Sequence, residues 1–332
     1  MERVPYPLSL IPCHLSLSWP VTHMAIPSSL CALAAVALSA GILAAQQPLR
    51  VGVDLVHFAV AVTDRQGSPI TGLTADDFEV LERGQPQQVT FFTAGESDTG
   101  LPLRLGFLLD SSGSMEADIR EVRTAAIKFL NQTEHAVDVT LVDFDTEVRV
   151  ARYAAEDYPR LIERIRMRKP RGYTAFYDAL GVYLRGASAQ NGQKVLVAYT
   201  DGGDTRSTMR AGEVAELLKG TDVTMYALGY LQGQTGTSRN SAQLELQRFT
   251  ALTGGQAFFP TSLKDLDGVY EKIQSELRAR YTLGYIATDD RADGTWRPVE
   301  IKLKRRDLKG ARVRTRPGYF APYTAPGSPP SR

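Results

Sequence analysis

Apolar and polar residues alternate along "VDLVHFAVAVTD" (53–64), the two-residue period of a strand with one buried face. Turn residues follow in "RQGSPITGL", and "DDFEVLERGQPQQVTFF" (76–92) predicts two short strands in a hairpin around "ERGQPQ". From Leu103 the pattern changes. "LRLGFLLD" is apolar on both faces, as in a strand buried within a parallel sheet. Ile119, Val122, Ala126, Phe129 and Leu130 then recur at helical spacing, which predicts a helix beginning near Glu116. "VDVTLVDFD" and "EVRVAR" read as a strand hairpin, and "PRLIERIRMR" and "AFYDALGVYLRGAS" as helices. "KVLVAYTD" is a second apolar strand that ends in an aspartate. Helix and strand keep alternating, with a helix expected over "AQLELQRFTALTGG" (242–255). A last amphipathic helix is marked by Leu263, Leu266, Tyr270, Ile273 and Leu277. Strands separated by such helices predict an α/β unit with a doubly wound, mostly parallel, Rossmann-like sheet.

After Arg280 the strand pattern returns in "YTLGYIA", "WRPVEIKLKRR" and "ARVRTRPGYFA". Neither flank has enough strands to close a core alone. They are therefore expected to pair into one β-sandwich into which the α/β unit is inserted. The expected organisation is a leader over 1–45 and a first sandwich part over 46–100. The α/β domain covers 101–280, completing strands cover 281–321, and a Pro/Ser-rich disordered tail covers 322–332. "AGESDTGLP" (94–102) reads as a linker.

The leader changes the picture of where this chain works. Between Arg3 and Arg50 there is no Lys, Arg, Asp or Glu, and "LCALAAVALSAGILAA" (30–45) suits a signal-peptide core better than a membrane span. Ala44 and Ala45 offer cleavage just before Gln46, and Met24 is an alternative start. A secreted, periplasmic or cell-envelope protein is expected; the alternative is an uncleaved leader acting as a membrane anchor. Both cysteines, Cys13 and Cys31, lie in the leader, so the mature chain has no thiol. Structural zinc, thiolate catalysis and disulfides are excluded together. With 43% hydrophobic residues, 23% charged residues and a net charge of +1 over 332 residues, nothing global points to nucleic acid or an acidic membrane. The basic stretch over 302–316 reads as a solvated hairpin face, without the aromatic interleaving of a nucleic-acid site.

The candidate chemistry sits in "GFLLDSSGSM" (106–115), where a buried strand ends in a carboxylate followed by hydroxyls. In open parallel sheets ligands bind beyond the carboxyl ends of strands, where strand order reverses. Asp110 and Asp201 end two strands expected to be neighbours at that reversal. Thr174, in "RGYTAFYDAL", immediately precedes a helix. The result is an all-oxygen set suited to a hard cation: Mg²⁺, with Mn²⁺ or Ca²⁺ as alternatives. The competing use of Ser111, Ser112 and Ser114 is to cap the following helix, but capping leaves Thr174 and Asp201 unexplained. Asp143, Asp145, Asp178 and Asp204 read as turn- or loop-holding residues.

These residues resemble a known family. "DSSGS" is similar to the Asp-x-Ser-x-Ser signature of the von Willebrand factor type A (VWA) domain, and Thr174 and Asp201 match its two remaining elements. The β flanks resemble those of secreted bacterial VWFA-related proteins. The resemblance implies a metal ion-dependent adhesion site. Ser112, Ser114 and Thr174 would bind the metal through hydroxyls, and Asp110 and Asp201 directly or through water. A Glu or Asp of a protein partner would take the open position. Tyr173 departs from the pattern, since many relatives have glycine there. The function expected is an exported binding protein, not an enzyme. A metal-dependent hydrolase and an envelope scaffold stabilised by its metal are the alternatives. Against the hydrolase, no G-x-S-x-G, H-E-x-x-H or P-loop occurs, and His57 and His135 lie outside these motifs.

Overall fold

The computed structural model describes residues 55–95, 101–133 and 135–324. The expected leader, residues 96–100 of the expected linker and residues 325–332 of the tail lie outside the described residues.

β1 (Leu55–Thr63) turns Phe58, Val60 and Val62 into a core, as its alternation requires. The segment expected to form two strands forms three: β2 (Phe78–Glu82), β3 (Gln85–Gln87) and β4 (Val89–Ala94). β2 and β3 make the hairpin, but its turn is only Arg83–Gly84, with φ of 49° and 80°. Positive φ at both central residues is what the tightest hairpin turns demand, and Gly84 meets it without a Cβ penalty. Pro86 is tolerated because β3 lies at a sheet edge.

β5 (Leu103–Asp110) opens the α/β unit. A short 3₁₀ turn over Gly113–Glu116 precedes α1 (Ile119–Asn131), so the α-helix starts a turn later than its periodicity suggests. β6 (Ala136–Phe144) and β7 (Val148–Ala154) form the expected hairpin. Then come α2 (Tyr158–Met167), α3 (Phe176–Ser188), β8 (Gln193–Thr200), α4 (Ala211–Lys219) and β9 (Val223–Gly229). α5 (Gly236–Leu252) begins six residues before the expected segment, because its first turns are polar and exposed and carry no apolar period. β10 (Gln256–Phe258) and α6 (Leu266–Ala279) complete the unit.

The six strands run in the order β10-β9-β8-β5-β6-β7, parallel except for β7. α1, α2 and α6 bury their apolar stripes on one face, and α3, α4 and α5 on the other. This is the doubly wound sheet expected. Order reverses between β5 and β8, which are direct neighbours.

After α6 the chain enters β11 (Tyr281–Ile286) without a loop, followed by β12 (Trp296–Leu303), β13 (Arg312–Arg314) and β14 (Gly318–Phe320). The flanks interleave: one sheet is β13-β1-β11-β4 and the other β14-β12-β2-β3. Their inner faces share one core, with Phe58, Phe78, Tyr281, Leu283, Val299 and Tyr319 among its residues. A buried ion pair, Glu82 with Arg297, joins the neighbouring strands β2 and β12, and the hydroxyls of Tyr285 and Tyr319 donate to Glu82, the former from the facing sheet. Beyond β14 the start of the expected tail is held: Tyr323 bridges Asp293, and the Thr324 N–H donates to the Ala292 carbonyl.

Candidate metal centre

Asp110 is the last residue of β5, and burial at the sheet centre fixes its carboxylate. Oδ1 accepts the Ser112 backbone N–H at 2.9 Å, and Oδ2 accepts the Thr200 hydroxyl, also at 2.9 Å. Asp201 follows the last residue of the neighbouring β8. Its Oδ1 accepts the Ser114 hydroxyl at 3.1 Å, and the Ser112 and Ser114 hydroxyls are 3.0 Å apart. Four of the five residues expected from the sequence are therefore linked in one hydrogen-bonded cluster.

Thr174 reaches the same region through its loop. The Gly113 N–H donates to the Gly172 carbonyl at 3.0 Å, and the Arg171 N–H to the Ser111 carbonyl at 2.9 Å. Thr174 is buried; its N–H donates to the Thr205 hydroxyl, and its carbonyl accepts the N–H groups of Thr205 and Arg206. No side-chain hydrogen bond joins it to the other four. Tyr173, where the pattern favours glycine, projects outward at 65% exposure, and its N–H donates to the Thr146 hydroxyl.

Capping does not account for the serines. Ser112 stands at the N-cap of the 3₁₀ turn, yet its side chain makes no capping bond. Asp178 and Asp204 hold loops: Asp178 accepts the N–H groups of Thr208 and Met209, and Asp204 those of Arg206, Ser207 and Tyr177. Asp143 and Asp145 do more than orient a turn. Both are buried, and they gather four arginines, 149, 164, 168 and 171.

The electrostatics separate these two carboxylate pairs. Asp143 and Asp145 are matched by guanidinium groups, whereas Asp110 and Asp201 receive hydrogen bonds from neutral hydroxyls and an amide. Burial pushes the Asp110 carboxyl up to about 7, and the neighbouring Asp201 charge adds to the rise. Burial also raises Asp201, against the opposing Ser114 hydrogen bond. A buried pair of like charges without a counter-charge is suited to a cation. Among the described residues no three Asp, Glu, His or Cys side chains gather to hold a metal, so a cation at this cluster would have to draw its remaining oxygens from hydroxyls. An all-oxygen donor set fits Mg²⁺, Mn²⁺ or Ca²⁺ and disfavours softer ions.

Sequence reasoning missed Thr200 and Thr205. Thr200 bonds Asp110 and also accepts the Gly202 N–H, so it fixes both sides of the crevice. Its signal was a hydroxyl residue directly before a strand-ending aspartate. Thr205 has no comparable local signal, since only the approach of two loops reveals its partner.

The model of the von Willebrand factor type A domain matches residues 105–274. No curated protein matches the chain. Among solved structures, a mutant of the PilB minor pilin from Streptococcus sanguinis is 15% identical with a TM-score of 0.46, over 55% of this chain and 63% of that one. The chain thus spans less than two thirds of the pilin's length. A von Willebrand factor type A protein from Catenulispora acidiphila is 12% identical with a TM-score of 0.45, over 84% and 76%. An aerotolerance-related membrane protein from Bacteroides fragilis is 16% identical with a TM-score of 0.44, over 53% and 98%.

Proposed function

The chain belongs to the von Willebrand factor type A family, and from that premise we propose that it is an exported binding protein that engages a protein ligand through a divalent cation. Asp110, Ser112, Ser114, Thr174 and Asp201 would hold the ion, with Mg²⁺ the first choice. The observation that carries this reading is the cluster of Asp110, Ser112, Ser114 and Asp201 at the sheet's reversal, two buried carboxylates bonded only to neutral donors. A cation there supplies positive charge that a ligand's Glu or Asp can meet. Two carboxylates formally balance a divalent charge, so the ion would keep positive charge at its open position where one of them binds only through water.

Export is supported by the apolar leader, free of charged side chains between Arg3 and Arg50, and by cysteines confined to it. No helix among the described residues is long and apolar enough to cross a membrane. Binding is favoured over hydrolysis because no histidine lies in the cluster and both of its carboxylates would be taken up by the cation rather than left free to act as a general base. The test is affinity capture from cell-envelope extracts with the full chain, in Mg²⁺ and in EDTA, with Asp110→Ala as control. A ligand retained only by the unaltered protein in Mg²⁺ supports the reading. A ligand retained equally in EDTA and by Asp110→Ala contradicts it.

A further inference from the structure

The four arginines over Asp143 and Asp145 do more than neutralise them. Arg164 bonds Asp143 through Nε and Nη2, while Arg149 and Arg168 reach both carboxylates, and Arg171 Nε meets Asp145 Oδ2 at 3.2 Å. The nearby acid Glu147 is exposed and pairs with Arg149 and Arg171 at 3.3 and 3.7 Å. Lys169 is exposed and takes no part in this network. Five cations thus face three carboxylates, an excess of two positive charges. Each guanidinium carries five N–H donors and uses only part of them here. Arg149, Arg164, Arg168, Lys169 and Arg171, with Met167, line an open recess of about 440 Å³.

This recess adjoins the candidate cation. Arg171 is three residues from Thr174, a span of at most about 11 Å along the chain. The Arg171 N–H is also bonded to the Ser111 carbonyl beside Ser112. We propose that the recess is a second anchoring site for an acidic polypeptide segment of the ligand, whose further carboxylates seat on these arginines when one carboxylate meets the cation. The inference rests on the proposed cation reading for its second anchor, but the recess itself does not need the metal. Guanidinium forks match carboxylates bidentately. An extended peptide spans about 3.3–3.6 Å per residue, so carboxylates three or four residues apart reach both places. Met167 and Tyr173, 70% and 65% exposed, add apolar surface for a peptide at either end of the loop. A sulfated polysaccharide is the less favoured occupant, because the buried aspartates limit the net charge and those two apolar side chains would have little to contact.

The test uses the full chain and fluorescein-labelled hexaglutamate, read by fluorescence anisotropy at fixed salt in Mg²⁺ and in EDTA. Lys169→Glu reverses a charge outside the Asp143–Asp145 network, and Lys169→Glu with Arg171→Gln removes more of the recess. The expected loss of affinity is about fivefold or more for the single variant and about tenfold or more for the double variant, in both buffers. Affinity for the unaltered protein should also fall as salt rises. Equal affinity of the unaltered protein and both variants overturns the proposal. So does tighter binding of a sulfated oligosaccharide of matched charge that the same variants abolish. Failure of the cation reading looks different: EDTA then has no effect on the unaltered protein, while the variants still weaken binding.

Discussion

Asp110 and Thr200 show how much one hydroxyl can decide. The Thr200 Oγ1 lies between a buried carboxylate and the Gly202 amide and bonds both. Replacing it by valine keeps the shape but leaves both partners short of a hydrogen bond. Thr200→Val should cost about 1–3 kcal/mol of stability. If Thr200 orients Asp110 toward a cation, Mg²⁺ affinity should also fall by about 10-fold to 100-fold. Urea denaturation and calorimetric titration check the two effects separately, and an unchanged Mg²⁺ affinity removes Thr200 from the account. Asp110, Ser112, Ser114 and Asp201 were legible in the sequence because each sits at the end of an apolar strand or within two short stretches of it. Thr200 could have been read from the same stretch but drew no attention beside the aspartate. Thr205 was not legible at all, since its role depends on which loop folds against Thr174.

At the scale of elements, the loop before α3 is the part most exposed to a single substitution. Gly172 has φ of 69°, and a Cβ there would stand 2.3 Å from the Thr146 hydroxyl. Its carbonyl also receives the Gly113 N–H that ties this loop to the serine turn. Gly172→Ala should therefore cost about 1–3 kcal/mol and weaken Mg²⁺ uptake together, because the same strain displaces Thr174. Denaturation and titration of the variant check this; a loss of stability with unchanged Mg²⁺ affinity would separate the loop from the site. Long periodic elements such as α1, α3 and β5 were readable because burial imposes their period. β1, β11 and β12 of the sandwich were readable as well, but the division of the last segment was not, since "ARVRTRPGYFA" looks continuous yet contributes β13 to one sheet and β14 to the other. Alternation persists through such a crossing, so only the pairing partner reveals it. The polar start of α5 was hidden for the opposite reason: exposed helix carries no apolar period.

At the scale of the molecule, the sandwich and the α/β unit are joined by specific polar contacts. Arg316, partly buried, donates to the Thr221 carbonyl of the α/β unit at 3.3 Å and the His57 carbonyl of β1 at 2.8 Å. Its guanidinium also lies 4.6 Å from the Phe58 ring centre. Glu276 at the end of α6 accepts from Tyr226 and pairs with Arg314 of β13. Arg316→Ala orphans two carbonyls and removes the ring contact, and should destabilise the protein by about 2–4 kcal/mol. A melting curve within error of the unaltered protein would show that the join does not depend on it. All of this scaffolding holds β5 and β8 side by side, and the function depends on what their ends bind. The most direct measurement is calorimetric titration of the full chain with Mg²⁺, alongside the double variant Ser112→Ala, Ser114→Ala. About one ion per chain is expected, with no detectable uptake by a variant that remains folded. Equal Mg²⁺ affinity in the two proteins would contradict it.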